Sequence, residues 1–266
     1  MSESYDSLGL ELSKCWIEDG IGYWQITRPK AFNAMNGFVT LEGRKVIKLF
    51  SEDRDVHTII IQGDERAFCA GGDIPNMINA TAIEALDDIR GIHELCALIY
   101  NSKKPVIASG RGLALGGGLE MMLACDIIVL GEGATLGFPE INLGIYPGGS
   151  GTQRMARYTS ISATKYYIFT GEYFGATEAY RLGIANFVVP DGEVVDKCKA
   201  IAQKLQAKSN TALRLAKQCI NFGHDLDMKT GCDYEQTAWA LLYGTEDQTE
   251  GMQAFLDKRK PNFQNK

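Results

Sequence analysis

The order of short apolar segments and longer amphipathic segments most constrains the fold of this chain. Four runs are rich in β-branched and aromatic residues at consecutive positions, as in strands buried on both faces: YWQIT at 23–27, HTIIIQG at 57–63, PVIAS at 105–109 and IIVL at 127–130. Strands of this kind are typical of parallel sheets that are covered by helices on both sides. The pattern therefore predicts an α/β fold.

Helical periodicity fills the segments between these strands and dominates the end of the chain. Residues 37–52 and 82–101 are predicted helices, and Thr81 and Glu84 have the spacing of a capping box. After about residue 195 the strand pattern ends. Helices are then predicted near 194–208, 210–222, 228–243 and 246–257, with Gly223, Gly231 and Gly244 near the breaks. We therefore divide the chain into a core of βα repeats, residues 1–193, and a helical C-terminal region, residues 194–266, within one compact unit.

Composition and charge narrow the class of protein. Of the 266 residues, 45% are hydrophobic, which is enough for a substantial core, and the net charge of −6 argues against a nucleic-acid-binding surface. The seven cysteines show no CxxC spacing, so neither a metal site nor a disulfide framework is predicted. No uncharged apolar run reaches the roughly 18 residues of a membrane span, and the first residues lack a signal-peptide pattern. The sequence thus predicts a soluble, cytoplasmic protein without membrane or nucleic-acid partners.

The stretch GRGLALGGGLE at 110–120 is the strongest indication of a functional site. Its three consecutive glycines lie at a predicted strand-to-helix junction. There, glycine allows a ligand to approach the backbone, and the helix start offers unpaired N–H groups and a positive dipole end. The alternative is a tight turn that only requires a positive φ. A Walker A loop is excluded because no Lys-Ser/Thr pair follows.

A second small-residue loop and two carboxylates complete the candidate site. The loop FCAGGDI at 68–74 follows the strand at 57–63 and offers further backbone donors, unless it is a simple connection. Glu120 lies on the first turn of the helix after the three glycines, and Glu140 ends the loop GFPE at 137–140. Most glutamates are solvated, but the neighbours of Glu120 are apolar nearly all round the helix. Its carboxylate is therefore predicted in or beside the core, where it needs a partner or a chemical role.

These motifs, in this order and spacing, resemble the enoyl-CoA hydratase (crotonase) superfamily. The resemblance rests on AFCAGGDI at 67–74, GLALGGGLE at 112–120, GFPE at 137–140 and PGGSGTQR at 147–154. It extends to both ends of the chain, through RPKAFNA at 28–34 and EGMQAFLDKR at 250–259. It implies a spiral of repeated ββα units with a C-terminal helical trimerisation region, assembled as a trimer or a dimer of trimers.

The resemblance also implies an activity, the reversible addition of water across the α,β-double bond of an acyl-CoA thioester. By position, the backbone N–H groups of Ala70 and Gly117 match the oxyanion hole for the thioester carbonyl. Glu120 matches the base that deprotonates the attacking water, and Glu140 matches the acid that protonates the α-carbon. The N–H of Gly148 matches a donor that positions the water.

Coenzyme A is part of the substrate in this interpretation, so no separate cofactor is implied. The resemblance assigns Lys30, Ala31 and Phe32 to the adenine. It assigns Ala70, Gly71, Gly72 and Asp73 to the pantetheine. Phe255 and Lys258 are assigned to the outer end of the coenzyme, from the C-terminal helix of a neighbouring subunit. Alternatively, Lys258 is only a solvated residue at the end of a helix.

Three departures from the family pattern leave the acyl group open. Phe138 and Tyr146 are bulkier than the usual residues, and Ser150 replaces a frequent glycine; each either shapes the acyl pocket or only packs. Within the superfamily, an isomerase, a dienoyl-CoA hydratase and a dehydratase are the alternatives to a hydratase. An RNA-binding homologue is the alternative from another class, and a serine hydrolase is disfavoured because no GxSxG motif accompanies the three histidines.

Overall fold

Two β-sheets form the framework of the chain, which a computed structural model describes for residues 8–265. The strands of this part are β1 Ser13–Glu18, β2 Ile21–Ile26, β3 Thr58–Gln62, β4 Ala67–Cys69, β5 Val106–Gly110, β6 Leu113–Leu115, β7 Ile127–Gly131, β8 Thr135–Gly137, β9 Tyr173–Gly175 and β10 Phe187–Val189. Its α-helices are α1 Gly37–Glu52, α2 Ile74–Met77, α3 Ala82–Tyr100, α4 Gly117–Met122, α5 Gly151–Tyr158, α6 Ile161–Thr170, α7 Ala176–Arg181, α8 Val194–Gln206, α9 Asn210–Gly223, α10 Met228–Leu241 and α11 Glu246–Leu256.

The connections between the sheets give the chain its repeating pattern. The larger sheet has the order β1-β2-β3-β5-β7-β10, and its strands are parallel except for β1. The smaller sheet has the order β4-β6-β8-β9, with β9 antiparallel to β8. In each of the pairs β3–β4, β5–β6 and β7–β8, the first strand lies in the larger sheet and the second in the smaller sheet. Helices follow each pair. This succession confirms the predicted spiral of ββα units.

The four predicted strands are confirmed as β2, β3, β5 and β7, which are neighbours in the larger sheet. β3 and β5 are buried at every position, which explains their continuous apolar sequence. The capping box of Thr81 and Glu84 is present at the start of α3. Strands β4, β6, β8, β9 and β10 were missed because three residues are too short for a periodic pattern. Strand β1 was also missed, because its sequence SKCWIE has no continuous apolar run.

The C-terminal helices divide into one that covers the core and others that lie outside it. The buried face of α8 (Val194, Cys198, Ile201 and Ala202) packs on residues of the larger sheet that include Ile60, Ile107 and Val129. α9 buries no residue fully. By packing, α8 therefore belongs with the core layer, although the predicted division at residue 193 separates it. Gly231 lies inside α10 rather than at a break, and there it faces Gly223 of α9. No helix within residues 8–265 is long and apolar enough to cross a membrane.

Candidate active site

The three consecutive glycines join β6 to α4, and each meets a different requirement. Gly116 has a φ of 50°, which favours glycine. A Cβ on Gly118 would lie 2.1 Å from the carbonyl oxygen of Cys69, so only glycine allows the helix to pack on β4. A Cβ on Gly117 would meet only ordinary contacts, the nearest being Met35 at 3.5 Å. Neither backbone strain nor crowding explains Gly117, whose N–H in the first turn of α4 has no intrahelical acceptor.

The loop after β4 supplies a second free N–H group, and it belongs to Gly72. Met35 donates its N–H to the carbonyl of Gly71 at 2.7 Å, and Asp73 donates its N–H to the carbonyl of Met35 at 2.9 Å. The N–H of Gly72, between these two bonds, has no acceptor in the described part of the chain. A Cβ on Gly71 would lie 3.0 Å from the carbonyl oxygen of Leu115, so this loop contacts the start of the three-glycine turn.

The structure corrects the choice of Ala70 as an oxyanion donor. The N–H of Ala70 donates to the carbonyl of Phe32 at 3.0 Å, so this group is already satisfied within the fold. The bond instead joins the Phe32 turn to the loop after β4. Sequence spacing alone could not distinguish the two N–H groups, because their direction depends on the bridge between Met35 and Gly72.

Glu120 is almost completely buried, as predicted, with 1% of its surface exposed. The N–H of Gly151 donates to its Oε1 at 2.6 Å. The net effect of its surroundings raises the pKa of Glu120 to about 7: burial and the charge of Glu140 raise it, whereas the N–H groups of Gly151 and Gly149 and the charge of Arg154 lower it. These three residues were not among the predicted site residues, although glycines close to a helix start were an available signal.

Glu140 faces the same turn from the other side. It lies in a short 3₁₀ segment, Pro139–Leu143, and its Oε1 is 2.8 Å from the position that a Cβ on Gly116 would occupy. Its Oε2 is buried and has no hydrogen-bond partner among the described residues. Burial raises the pKa of Glu140 to about 7. Since Glu120 Oε2 lies 3.8 Å from the Cβ position of Gly117, the two carboxylates flank one short stretch of backbone.

Gly148 belongs to the loop that passes over Glu120. Its carbonyl accepts a hydrogen bond from Nε2 of His93 on α3 at 2.8 Å, a contact that the sequence analysis did not foresee. A Cβ on Gly148 would lie 3.0 Å from Ile89, and one on Gly149 would lie 2.6 Å from Ile92. Helix α3 therefore closes this side of the site with aliphatic side chains. The role of the Gly148 N–H remains a prediction.

Phe138 and Tyr146, the two residues that are bulkier than the family pattern, have different surroundings. Phe138 is completely buried, and its ring lies 2.8 Å from the position of a Cβ on Gly151. It thus packs beneath the loop that holds Glu120. Tyr146 is 67% exposed beside the same loop, so of the two only Tyr146 is accessible to a ligand.

The predicted coenzyme A residues form two separate groups. Lys30, Ala31 and Phe32 follow one another near the loop after β4, where the guanidinium of Arg66 lies 4.2 Å from the centre of the Phe32 ring. Asp73 is paired with Arg28 at 2.7 Å, which fixes its carboxylate within the fold. Phe255 and Lys258, at the end of α11, are exposed, and no hydrogen bond or ion pair of the described residues connects them to the first group.

Comparison with known proteins agrees with this architecture. The model of the family described as enoyl-CoA hydratase/isomerase matches residues 16–266. A probable mitochondrial enoyl-CoA hydratase of Dictyostelium discoideum is 38% identical over 248 residues, 92% of this chain and 88% of the relative. A crotonyl-CoA hydratase of Syntrophomonas wolfei is 38% identical over 247 residues, 92% of this chain and 95% of the relative. The crystal structure of an enoyl-CoA hydratase from Bacillus anthracis superposes with a TM-score of 0.93 at 31% identity, covering 96% of this chain and 100% of that one. The chain therefore belongs to the enoyl-CoA hydratase/isomerase family, as the sequence motifs indicated.

Proposed function

We propose that this protein is a hydro-lyase that reversibly adds water across the α,β-double bond of an acyl-CoA thioester. The observation that carries the proposal is the convergence of the buried carboxylate of Glu120 and the half-buried carboxylate of Glu140 beside free backbone N–H groups. Hydration requires water to lose a proton as it attacks the β-carbon and the α-carbon to gain one. Two carboxylates with pKa values near neutrality meet both requirements.

The oxyanion hole in this proposal consists of the N–H groups of Gly117 and Gly72, with Gly72 replacing Ala70. Both groups lack an acceptor within the described chain, and their two loops are in contact. They would donate to the thioester oxygen as it gains enolate character during attack. The loss of one such donor typically raises the barrier by about 3 kcal/mol.

The two glutamates have distinct roles in the proposed reaction. Glu120, as the carboxylate, accepts a proton from the water that the N–H of Gly148 helps to position. Glu140, as the carboxylic acid, delivers a proton to the α-carbon. In the dehydration direction each group does the reverse. Because the charge of Glu140 acts on Glu120, the pKa values belong to the pair rather than to either residue.

The outer parts of the substrate extend the proposal to the oligomer. The coenzyme A portion lies along Lys30, Ala31 and Phe32 and along residues 70–73, while Phe255 and Lys258 act from a neighbouring subunit. The exposed apolar side chains of the C-terminal helices support a trimer or dimer of trimers: Phe222, Met228, Trp239, Leu241, Phe255 and Leu256. The compartment is proposed to be the cytoplasm, because the cysteines show no spacing typical of a disulfide framework.

A spectrophotometric assay of the purified protein against straight, branched and cyclic enoyl-CoA thioesters tests the proposal. Glu120→Gln and Glu140→Gln keep the size of each side chain but remove proton transfer, and each is expected to lower kcat by about 10²- to 10⁴-fold while acyl-CoA still binds. The double variant should lose less than the product of the single losses, because the two groups act together. Glu132→Gln, at an exposed glutamate, is the matched control. Near-normal hydration by either single variant would contradict the mechanism, and a shifted double bond without hydration would identify an isomerase.

A further inference from the structure

Ser150 has a backbone conformation that disfavours every residue with a Cβ. Its φ is 98°, in the left-handed region that glycine adopts readily, and it directly precedes α5. A serine that persists in such a conformation is held there by its surroundings, and strain of this kind concentrates at functional sites. The contacts of its hydroxyl group are therefore informative.

The hydroxyl of Ser150 holds the side chain of Arg154, one helical turn further along. Nε of Arg154 donates to Oγ of Ser150 at 2.9 Å, and the guanidinium lies over the ring of Tyr100, 4.7 Å from its centre. Tyr100 is fixed in turn, because Nδ2 of Asn221 donates to its carbonyl at 2.8 Å. The Arg154 cation is thus held between a hydroxyl and an aromatic face.

Both neighbours of Ser150 contact the carboxylate of Glu120. Gly151, the next residue, donates its N–H to Oε1 at 2.6 Å. On the other side, a Cβ on Gly149 would lie only 2.4 Å from Oε2. The conformation of Ser150 therefore determines how the two adjacent peptide groups are presented to Glu120.

We propose that Ser150 and Arg154 are positioning residues for Glu120, because their hydroxyl–guanidinium pair fixes the peptide groups that hold this carboxylate and keeps a cation near it. The inference deepens the proposed function, in which Glu120 is the base, and rests on it. The titratable and charged groups that face Glu120 are Glu140, Arg154 and the thiol of Cys96. Of these, only Arg154 favours the carboxylate form.

The variants of this pair have defined consequences. Without the Arg154 cation, the pKa of Glu120 rises, so less of the base is ionised at neutral pH and the acidic limb of the kcat profile moves to higher pH. The charge of Arg154 is the weakest of the influences on this pKa, so on that limb we expect a fall in kcat of about two- to threefold for Arg154→Met and a smaller fall for Ser150→Gly. The KM for acyl-CoA should stay unchanged, and Arg154→Lys should restore part of kcat.

The experiment compares kcat and KM profiles against pH for these variants and for Ser150→Gly/Arg154→Met. Because Ser150 acts through Arg154, the double variant should be no slower than Arg154→Met alone. Asp19→Gly is the matched control, since it also replaces a residue of positive φ (51°) but lies in the remote β1–β2 turn. Glycine suits the positive φ at position 150, so Ser150→Gly still tests the inference if Arg154→Met does not fold.

Unchanged kcat profiles for Ser150→Gly and Arg154→Met, or losses that multiply in the double variant, would overturn the inference. A ¹³C NMR titration of the Glu120 carboxyl group measures the same shift without turnover. A wild-type protein that hydrates no thioester would therefore refute the proposed function, while an unshifted Glu120 resonance in the Ser150 and Arg154 variants would refute the positioning role.

Discussion

Glu140→Gln is expected to make the protein more stable at alkaline pH while it lowers kcat by about 10²- to 10⁴-fold. The pKa of Glu140 is raised from 4.5 to about 7 by burial, and its Oε2 finds no hydrogen-bond partner in the described structure. The folded chain thus binds this proton more tightly than the unfolded chain does. The contribution of Glu140 to the free energy of unfolding must then be greatest below pH 4.5 and must fall as the pH rises from 4.5 through about 7.

The magnitude follows from the difference between the two pKa values. Each unit corresponds to about 1.4 kcal/mol, so ionisation of Glu140 should lower the free energy of unfolding by about 2 to 3 kcal/mol between pH 5 and pH 8. The amide that replaces the carboxyl group in Glu140→Gln cannot ionise, so the variant should lack this part of the pH dependence. Relative to wild type, it should be stabilised at pH 8 and nearly unchanged at pH 5.

Urea unfolding of wild type and variant at pH 5 and pH 8 measures this difference, at one protein concentration because assembly into oligomers would make the stability concentration-dependent. Glu132→Gln, which replaces an exposed glutamate, is the control and should show the same pH dependence of unfolding as wild type. If Glu140→Gln and wild type lose the same free energy between the two pH values, the carboxylate is not desolvated in solution and the argument from burial fails.

Three further predictions concern packing, substrate affinity and substrate choice. Gly118→Ala would place a Cβ 2.1 Å from the Cys69 carbonyl and should destabilise the fold by about 1 to 3 kcal/mol or more in urea unfolding, whereas Gly192→Ala, with no atom within 4 Å of its Cβ, should not. Lys258→Ala should raise the KM for acyl-CoA several-fold at low salt with little change in kcat, because a cation that binds phosphate acts equally on the ground and transition states; an unchanged KM would exclude that role. Tyr146→Val should change the ranking of acyl groups in the hydration assay and Phe138→Leu should not, since only Tyr146 is exposed; the reverse result would contradict this reading.

The sequence was sufficient to predict the parts of the structure that follow from local patterns. The continuous apolar runs of β3 and β5 are consequences of burial on both faces, and the capping box at Thr81 needs only neighbouring residues. The burial of Glu120 was predictable for the same reason, because its helix is apolar nearly all round.

Features that depend on contacts between distant segments could not be read from the sequence. The N–H of Ala70 is satisfied by Phe32, and only the bridge between Met35 and Gly72 shows that the free group belongs to Gly72. The support of Glu120 by Gly151 joins residues that are 31 positions apart. Contacts of this kind determine which member of a recognisable motif is available to a ligand.

The environments of the two glutamates explain how one buried pair could provide both a base and an acid at neutral pH. The net effect of burial and of the neighbouring groups raises both pKa values to about 7, so these values do not distinguish the roles. The surroundings differ in kind: N–H groups and the charge of Arg154 favour the carboxylate form of Glu120, whereas Oε2 of Glu140 receives no donor from the described chain. The charge of Glu140 acts against the carboxylate form of Glu120. The proposed mechanism places the single proton of the coupled pair on Glu140, so that Glu120 is ionised beside the water. In the ¹³C titration, the Glu120 resonance should ionise at lower pH than that of Glu140, and the opposite order would reverse the assignment of base and acid.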